Sequence, residues 1–292
     1  MPNRYHRTPG SPPGAGKVSV MHQSNDGSPA ADRPPAGDRR SPVQRRTLLG
    51  CAWIGLTSLL LFTVLLILVK ADWSPLSRLD HGWVATLHRY ALRHPVWTAA
   101  MQTLADLGAP WTMRALLGAA ALWLWCVRAR VLAGWVLAVC LLGWAASAGG
   151  RALIGRPRPH FVDPVAVGSG AGFPSGHAIA SAVTCGALLV LLRPRADRVV
   201  RAVASTGAAL TVLGVGWTRL ALGVHYPSDV LAGWAAAAVV LTGATLAVEL
   251  WRPGRLGRDV RRLHWRLRSR VQRVLAAPLP AEPATEPDPG RS

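Results

Sequence analysis

The chain has four cysteines but no C-x-x-C pair, so the sequence supports neither a disulfide framework nor a zinc site of the usual spacing. Cys51, Cys126, Cys140 and Cys185 lie in or beside apolar runs, where small residues pack between helices. Acidic residues are scarce: 14 Asp and Glu against 33 Lys and Arg, for a formal charge of +19. Such a charge suits nucleic acid, yet no zinc-finger spacing and no isolated basic recognition helix accompanies it. Nucleic acid is set aside as a partner. No secretory leader is expected in residues 1–46 either. No apolar run precedes Leu48, and the run Leu48–Val69 is too long for the apolar part of a signal peptide.

Long uncharged apolar runs are what the chain does have. Leu48–Val69, Val131–Gly150 and Val230–Val248 are each long enough to cross a bilayer as a helix. Pro110–Val127, Ala178–Leu192 and Ala202–Thr218 supply three more candidate spans. Arg114 in the second is expected to anchor that span at the interface. Between the first two spans, Leu79–Arg93 places Leu79, Trp83, Leu87 and Leu92 at helical intervals with charges between them. This predicts an interfacial helix on the membrane surface, ended by Pro95 and by the turn Leu107–Pro110. The expected fold is an all-α polytopic membrane bundle with six transmembrane helices and one extracytoplasmic interfacial helix.

Three regions follow. Residues 1–46, rich in Pro, Gly, Ser and Arg, form a disordered basic cytoplasmic tail. Residues 47–252 form the six-span domain. Residues 253–292 form a second tail. In it, Arg255–Leu275 sets Leu256, Val260, Leu263, Leu267, Val271 and Val274 on one face of a basic helix suited to an anionic inner leaflet, and residues 277–292 read as disordered. Most of the 33 Lys and Arg fall on the side of the two termini. The positive-inside rule therefore puts both termini in the cytoplasm.

Three polar blocks interrupt the apolar pattern. Arg151-Ala-Leu-Ile-Gly-Arg-Pro-Arg158-Pro159 follows the third span. Phe173-Pro174-Ser175-Gly176-His177 precedes the fourth. Thr218-Arg219-Leu-Ala-Leu-Gly-Val-His225-Tyr-Pro-Ser-Asp229 joins the fifth to the sixth. Span four crosses the membrane and span five returns, so all three blocks emerge on one face, the extracytoplasmic one by the charge rule. That face gathers Arg151, Arg158 and Arg219 with His177, His225 and Asp229. Guanidinium forks pair with phosphate oxygens. Ser175 is a candidate helix cap, and Gly176 leaves the helix N-terminus open to an anion. Gly168, Gly170 and Gly172 would let the preceding loop wrap a phosphate. A helix starting near Pro227 would set Asp229 beside His225, and a carboxylate on one ring nitrogen makes the other a better nucleophile. Three guanidiniums would repel a metal cation, so no metal and no cofactor is expected. Arg156 is expected to stand by without a direct role. His81, His88, His94, His160 and His264 are expected at the surface or interface.

These blocks resemble the three-part signature of the type 2 phosphatidic acid phosphatases, a superfamily that also includes glucose-6-phosphatases and vanadium haloperoxidases. Every spacing matches. Arg151 stands where the family usually has Lys, and Thr218 where it usually has Ser. The resemblance implies a bacterial multi-pass membrane phosphatase in which Arg151, Arg158, Arg219, Ser175 and Gly176 bind phosphate. It implies that His225 forms a phosphohistidine, Asp229 orients it, and His177 protonates the leaving oxygen and then activates water. The implied substrate is a lipid phosphate or diphosphate: a polyprenyl diphosphate such as undecaprenyl diphosphate, phosphatidylglycerophosphate or phosphatidic acid. The competing readings are a phosphotransferase with an alcohol acceptor and a non-catalytic phospholipid-binding membrane protein. A haloperoxidase is disfavoured by the membrane spans.

Overall fold

The structure is a computed structural model that describes residues 42–192 and 197–260. Among these, eight helices are α1 (Pro42–Lys70), α2 (Ser74–Arg93), α3 (Pro95–Leu107), α4 (Pro110–Cys126), α5 (Arg130–Ile154), α6 (Gly176–Leu192), α7 (Arg198–Ala221) and α8 (Pro227–Trp251). No strand occurs among the described residues, and the cysteines form no disulfide there. Helix α1 starts at Pro42, so the last residues assigned to the tail belong to the first helix. The expected tail helix is described only for residues 255–260, which are helical; His264 and the rest of that helix lie outside the described residues.

Local chemistry sets the helix limits. Proline opens α3, α4 and α8 and sits at the second residue of α2, positions where its missing N–H costs nothing. Asp197 caps α7 by accepting the Val200 N–H at 2.8 Å. Gly155 ends α5 in the left-handed region at φ 63°, the usual glycine stop.

Four helices are long and apolar enough to cross a membrane: Gln44–Lys70, Arg130–Ile154, Arg198–Ala221 and Pro227–Trp251. The other two expected spans, α4 and α6, are helices of 17 residues, at the short end of what spans a bilayer. The exterior is apolar. Leu49, Ile54, Leu60 and Ile67 of α1 and Leu210 and Leu213 of α7 are exposed, as expected of side chains that face lipid.

The core lies between α4, α5, α6 and α8, around Leu117, Leu124, Trp135, Val136, Val139, Ile179, Val183 and Ala237. Helix α1 packs along α8, and Gln44 Nε2 donates to Glu249 Oε2 at 3.1 Å where α1 begins and α8 ends. Small residues let α6 and α8 approach. A Cβ on Gly233 would sit 2.8 Å from Ala178 Cβ and 2.9 Å from the Ser175 carbonyl oxygen.

Helix α2 is turned inside out relative to a water-soluble helix. Its apolar residues Leu79, Trp83 and Leu92 are exposed, while Asp80, Val84, His88 and Ala91 form its buried line. Together with α3 it packs against the ends of α7 and α8 that carry the third polar block.

Candidate active site

The three blocks meet at one end of the bundle. Arg151 is in the last turn of α5, and Arg219 in the last turn of α7. His177 is the second residue of α6, and Asp229 lies in the first turn of α8. Arg158 and His225 sit in the connecting loops. Backbone bonds tie the blocks together. Ser175 N donates to the Asp229 carbonyl oxygen at 3.0 Å, and Gly172 N to the Arg156 carbonyl oxygen at 2.8 Å. Both loops therefore share a face, as the order of spans predicts.

His225 is 2 % exposed and Asp229 fully buried. His225 Nδ1 lies 3.5 Å from Asp229 Oδ2, an ion-pair distance too long for a good hydrogen bond, and Nδ1 has no other partner. Asp229 Oδ2 accepts the Tyr226 N–H at 2.9 Å instead. On the other side of the ring, Arg158 Nη1 lies 2.9 Å from His225 Nε2. A guanidinium only donates, so Nε2 carries the lone pair and Nδ1 the proton. Burial lowers the His225 imidazole to about 4, against the opposing pull of Asp229, so the ring is neutral near pH 7.

Arg158 also donates from Nη1 to the Val224 carbonyl oxygen at 2.9 Å and from Nε to Gly170 O at 3.0 Å. Burial draws its guanidinium below the ordinary value; Asp229 opposes this and Arg151 adds to it. The glycines of the loop serve contacts within the protein. Gly170 takes φ 69°, and a Cβ on Gly172 would sit 3.3 Å from Asp229 Oδ2.

Several buried donors make no hydrogen bond among the described residues: Ser147 Oγ, Ser175 Oγ and Arg219 Nε. Ser175 holds the cap position of α6, since its carbonyl accepts the Ile179 N–H at 3.1 Å, but the expected side-chain cap is not made. Ser147 was not expected beside the polar blocks. It lies one turn before Arg151, whose Nε donates to the Ser147 carbonyl at 3.2 Å. A Cβ on Gly176 would meet Ser147 Oγ at 2.9 Å and Arg151 Nη1 at 3.8 Å, so Gly176 is needed for this approach. Thr218 spends its hydroxyl on the Val215 carbonyl at 2.7 Å. Among the described residues no three His, Cys, Asp or Glu side chains are grouped to hold a metal ion.

Two expectations need correction. Arg156 is no bystander: it is nearly buried and bonds to Asp229, Ser228 and Asp80. His88 is not at the surface. It is buried and stacks on Phe161 at 3.8 Å between ring centres, because α2 folds over the loop. Arg114, expected as an anchor, lines a narrow cleft with Trp144 and Gly176.

Residues 132–253, which contain all three blocks, match the family model described as PAP2 superfamily. These residues carry a PAP2 superfamily domain. Among solved structures, it is similar to the transmembrane PAP2-type phosphatidylglycerolphosphate phosphatase of Bacillus subtilis, with a TM-score of 0.54 and 22 % identity over 66 % of this chain and 96 % of that one. No curated protein matches the sequence. The PAP2 match and the transmembrane fold support a multi-pass membrane protein and, in general terms, a lipid phosphatase. Helices α1 to α3, which supply Asp80 and His88, lie before the matched region.

Proposed function

We propose that this PAP2 protein removes a phosphoryl group from a lipid phosphate through a phosphohistidine on His225. The single observation that carries the reading is the tautomer of His225: Arg158 donates toward Nε2, so the lone pair lies on the side of the arginines and away from Asp229. Arg151, Arg158 and Arg219, with Ser175 Oγ and the N-terminus of α6 at Gly176, bind the phosphoryl oxygens. The unpartnered Ser147 Oγ, Ser175 Oγ and Arg219 Nε are the donor set such an anion would satisfy.

In the first step Nε2 forms a bond to phosphorus, the bond to the leaving oxygen breaks, and His177 gives that oxygen its proton. In the second step His177 takes a proton from water, whose oxygen attacks phosphorus. The P–N bond breaks, and orthophosphate and neutral His225 are restored. Asp229 carries the Nδ1–H through both steps. The substrate class is a lipid phosphate or diphosphate: a polyprenyl diphosphate, phosphatidylglycerophosphate or phosphatidic acid. It reaches the site from the bilayer, with the site on the extracytoplasmic side and both termini in the cytoplasm.

The test uses the purified full chain, a panel of these lipids and EDTA. Phosphate release from at least one lipid is expected. Acid-labile label on His225 is expected after rapid quenching with a 32P-labelled substrate. Undiminished turnover by His225→Ala would refute the nucleophile.

A further inference from the structure

Arg156 lies between the reacting histidine and the helix that covers it. Its Nη1 donates to Asp229 Oδ1 and to Ser228 Oγ, both at 2.7 Å, and its Nη2 to Asp80 Oδ2 at 2.8 Å. The guanidinium also lies 4.4 Å from the Tyr226 ring centre. Asp80 comes from α2. It takes the Ser228 N–H on Oδ1 at 3.1 Å and the Ser228 hydroxyl on Oδ2. Both carboxylates are buried, at 1 % and 0 % exposure, and Arg156 joins them at 13 %. Burial works against the Arg156 charge, but Asp229 and Asp80 outweigh it and hold the guanidinium above its ordinary value.

This arrangement leaves Arg156 poorly placed to hold substrate. An incoming phosphate would have to displace one of two buried carboxylates, at the cost of an unpaired buried charge. Arg156 instead engages the carboxylate that faces the reacting imidazole. With Tyr226 N on Oδ2 and Arg156 on Oδ1, Asp229 cannot turn, and part of its charge is committed away from His225.

We propose that Arg156 and Asp80 are positioning residues for the nucleophile: they hold Asp229 against His225 and share its charge, so that His225 stays neutral with its lone pair on Nε2. The pair also makes the docking of α2 a condition of a competent site. The kinetic part rests on His225 being the nucleophile; the effect on His225 protonation does not.

The charges facing His225 are Asp229 on α8, Arg158 in its loop, Arg219 on α7 and, when protonated, His177 on α6. Removing Arg156 leaves two buried carboxylates without their shared cation, so the His225–Asp229 pair holds a proton more tightly. Removing the charge of Asp80 has the opposite sense, because Arg156 then serves Asp229 alone. A residue that merely braces the fold would not give opposite signs.

The experiment titrates the full chain in detergent micelles with 13C-labelled histidine, and His225→Gln assigns the His225 signal. Arg156→Gln should raise the His225 midpoint by about one pH unit. Arg156→Lys should lie between it and the parent, since one ammonium cannot span both carboxylates. Asp80→Asn should move the midpoint below the parent's. In turnover of phosphatidic acid, Arg156→Gln should lower kcat by about 10- to 100-fold while KM stays within about threefold. An unmoved His225 midpoint in both Arg156 variants overturns the proposal, as does a rise in Asp80→Asn or a KM increase at unchanged kcat. If Arg156→Gln does not fold, Arg156→Lys and Asp80→Asn decide. If His225→Ala keeps full turnover, the phosphohistidine reading falls while the titration still judges the positioning role.

Discussion

The two histidines of the site occupy matching places, each at a junction between a loop and a helix, yet they are held differently. His225 is buried, with Arg158 on one nitrogen and Asp229 facing the other. His177 is only partly buried and makes no hydrogen bond among the described contacts. The arginines divide the same way. Arg156 spends its donors on protein groups and Arg158 does so with Nε and Nη1, whereas Arg219 leaves Nε unpartnered and Arg151 bonds only to the Ser147 carbonyl among the described contacts. On the proposed reading, one half of the site is fixed before any ligand arrives, and the other keeps its donors for one. A nucleophile gains from a set direction and tautomer. A group that must give a proton to one oxygen and take one from another gains from freedom to follow them.

The strongest way to break this contrast is at His225. His225→Ala should lower turnover of a lipid phosphate by on the order of 10⁴ or more, whatever the leaving group. His177→Ala should cost about 10²–10⁴ with a lipid alkoxide as leaving group. With an activated aryl phosphate the same variant should lose much less in the first step and accumulate label on His225. Equal losses on both substrates would mean that His177 is not the proton donor. Both are read by phosphate release and rapid quench.

Acid sensitivity sharpens the contrast on the fixed side. His225 is lowered from 6.5 to about 4 in the folded chain, so between those values the unfolded chain binds the extra proton. The resulting stability is full above about pH 6.5 and is lost as pH falls toward 4, on the order of 3 kcal/mol in all. His225→Gln should remove that part of the acid dependence, read from thermal unfolding in micelles at stepped pH. The smallest effect is expected at Gly233. Gly233→Ala should push the start of α6 away from α8 and cost about 1–3 kcal/mol, with a lower unfolding temperature.

The motif residues were legible because their spacing is rigid. A helix start at Pro227 places Asp229 beside His225, and the order of spans brings the loop of Arg158 to the loop of His225. Asp80 was not legible. It is a single carboxylate in a helix whose apolar pattern points outward, and its partners Arg156 and Ser228 are more than seventy residues away. A signal was present: Asp80, Val84, His88 and Ala91 repeat at helical spacing on the side opposite Leu79, Trp83 and Leu92. In a chain bathed in lipid, the polar line of such a helix is the one that faces inward. Ser147 was hidden for a related reason, as one hydroxyl in an apolar span whose role depends on how closely Gly176 comes to it.

The described part of α6 bears on the depth at which the proposed reaction would take place. Seventeen residues rise about 25 Å, whereas the hydrocarbon layer is about 30 Å thick. If Leu192, its last described residue, lies at the opposite interface, His177 lies several ångströms beneath the phosphate plane of the near leaflet, unless the bilayer thins around it. On the proposed reading a headgroup would then sink toward the bundle to be cut, while its acyl or prenyl tail stayed in the oil.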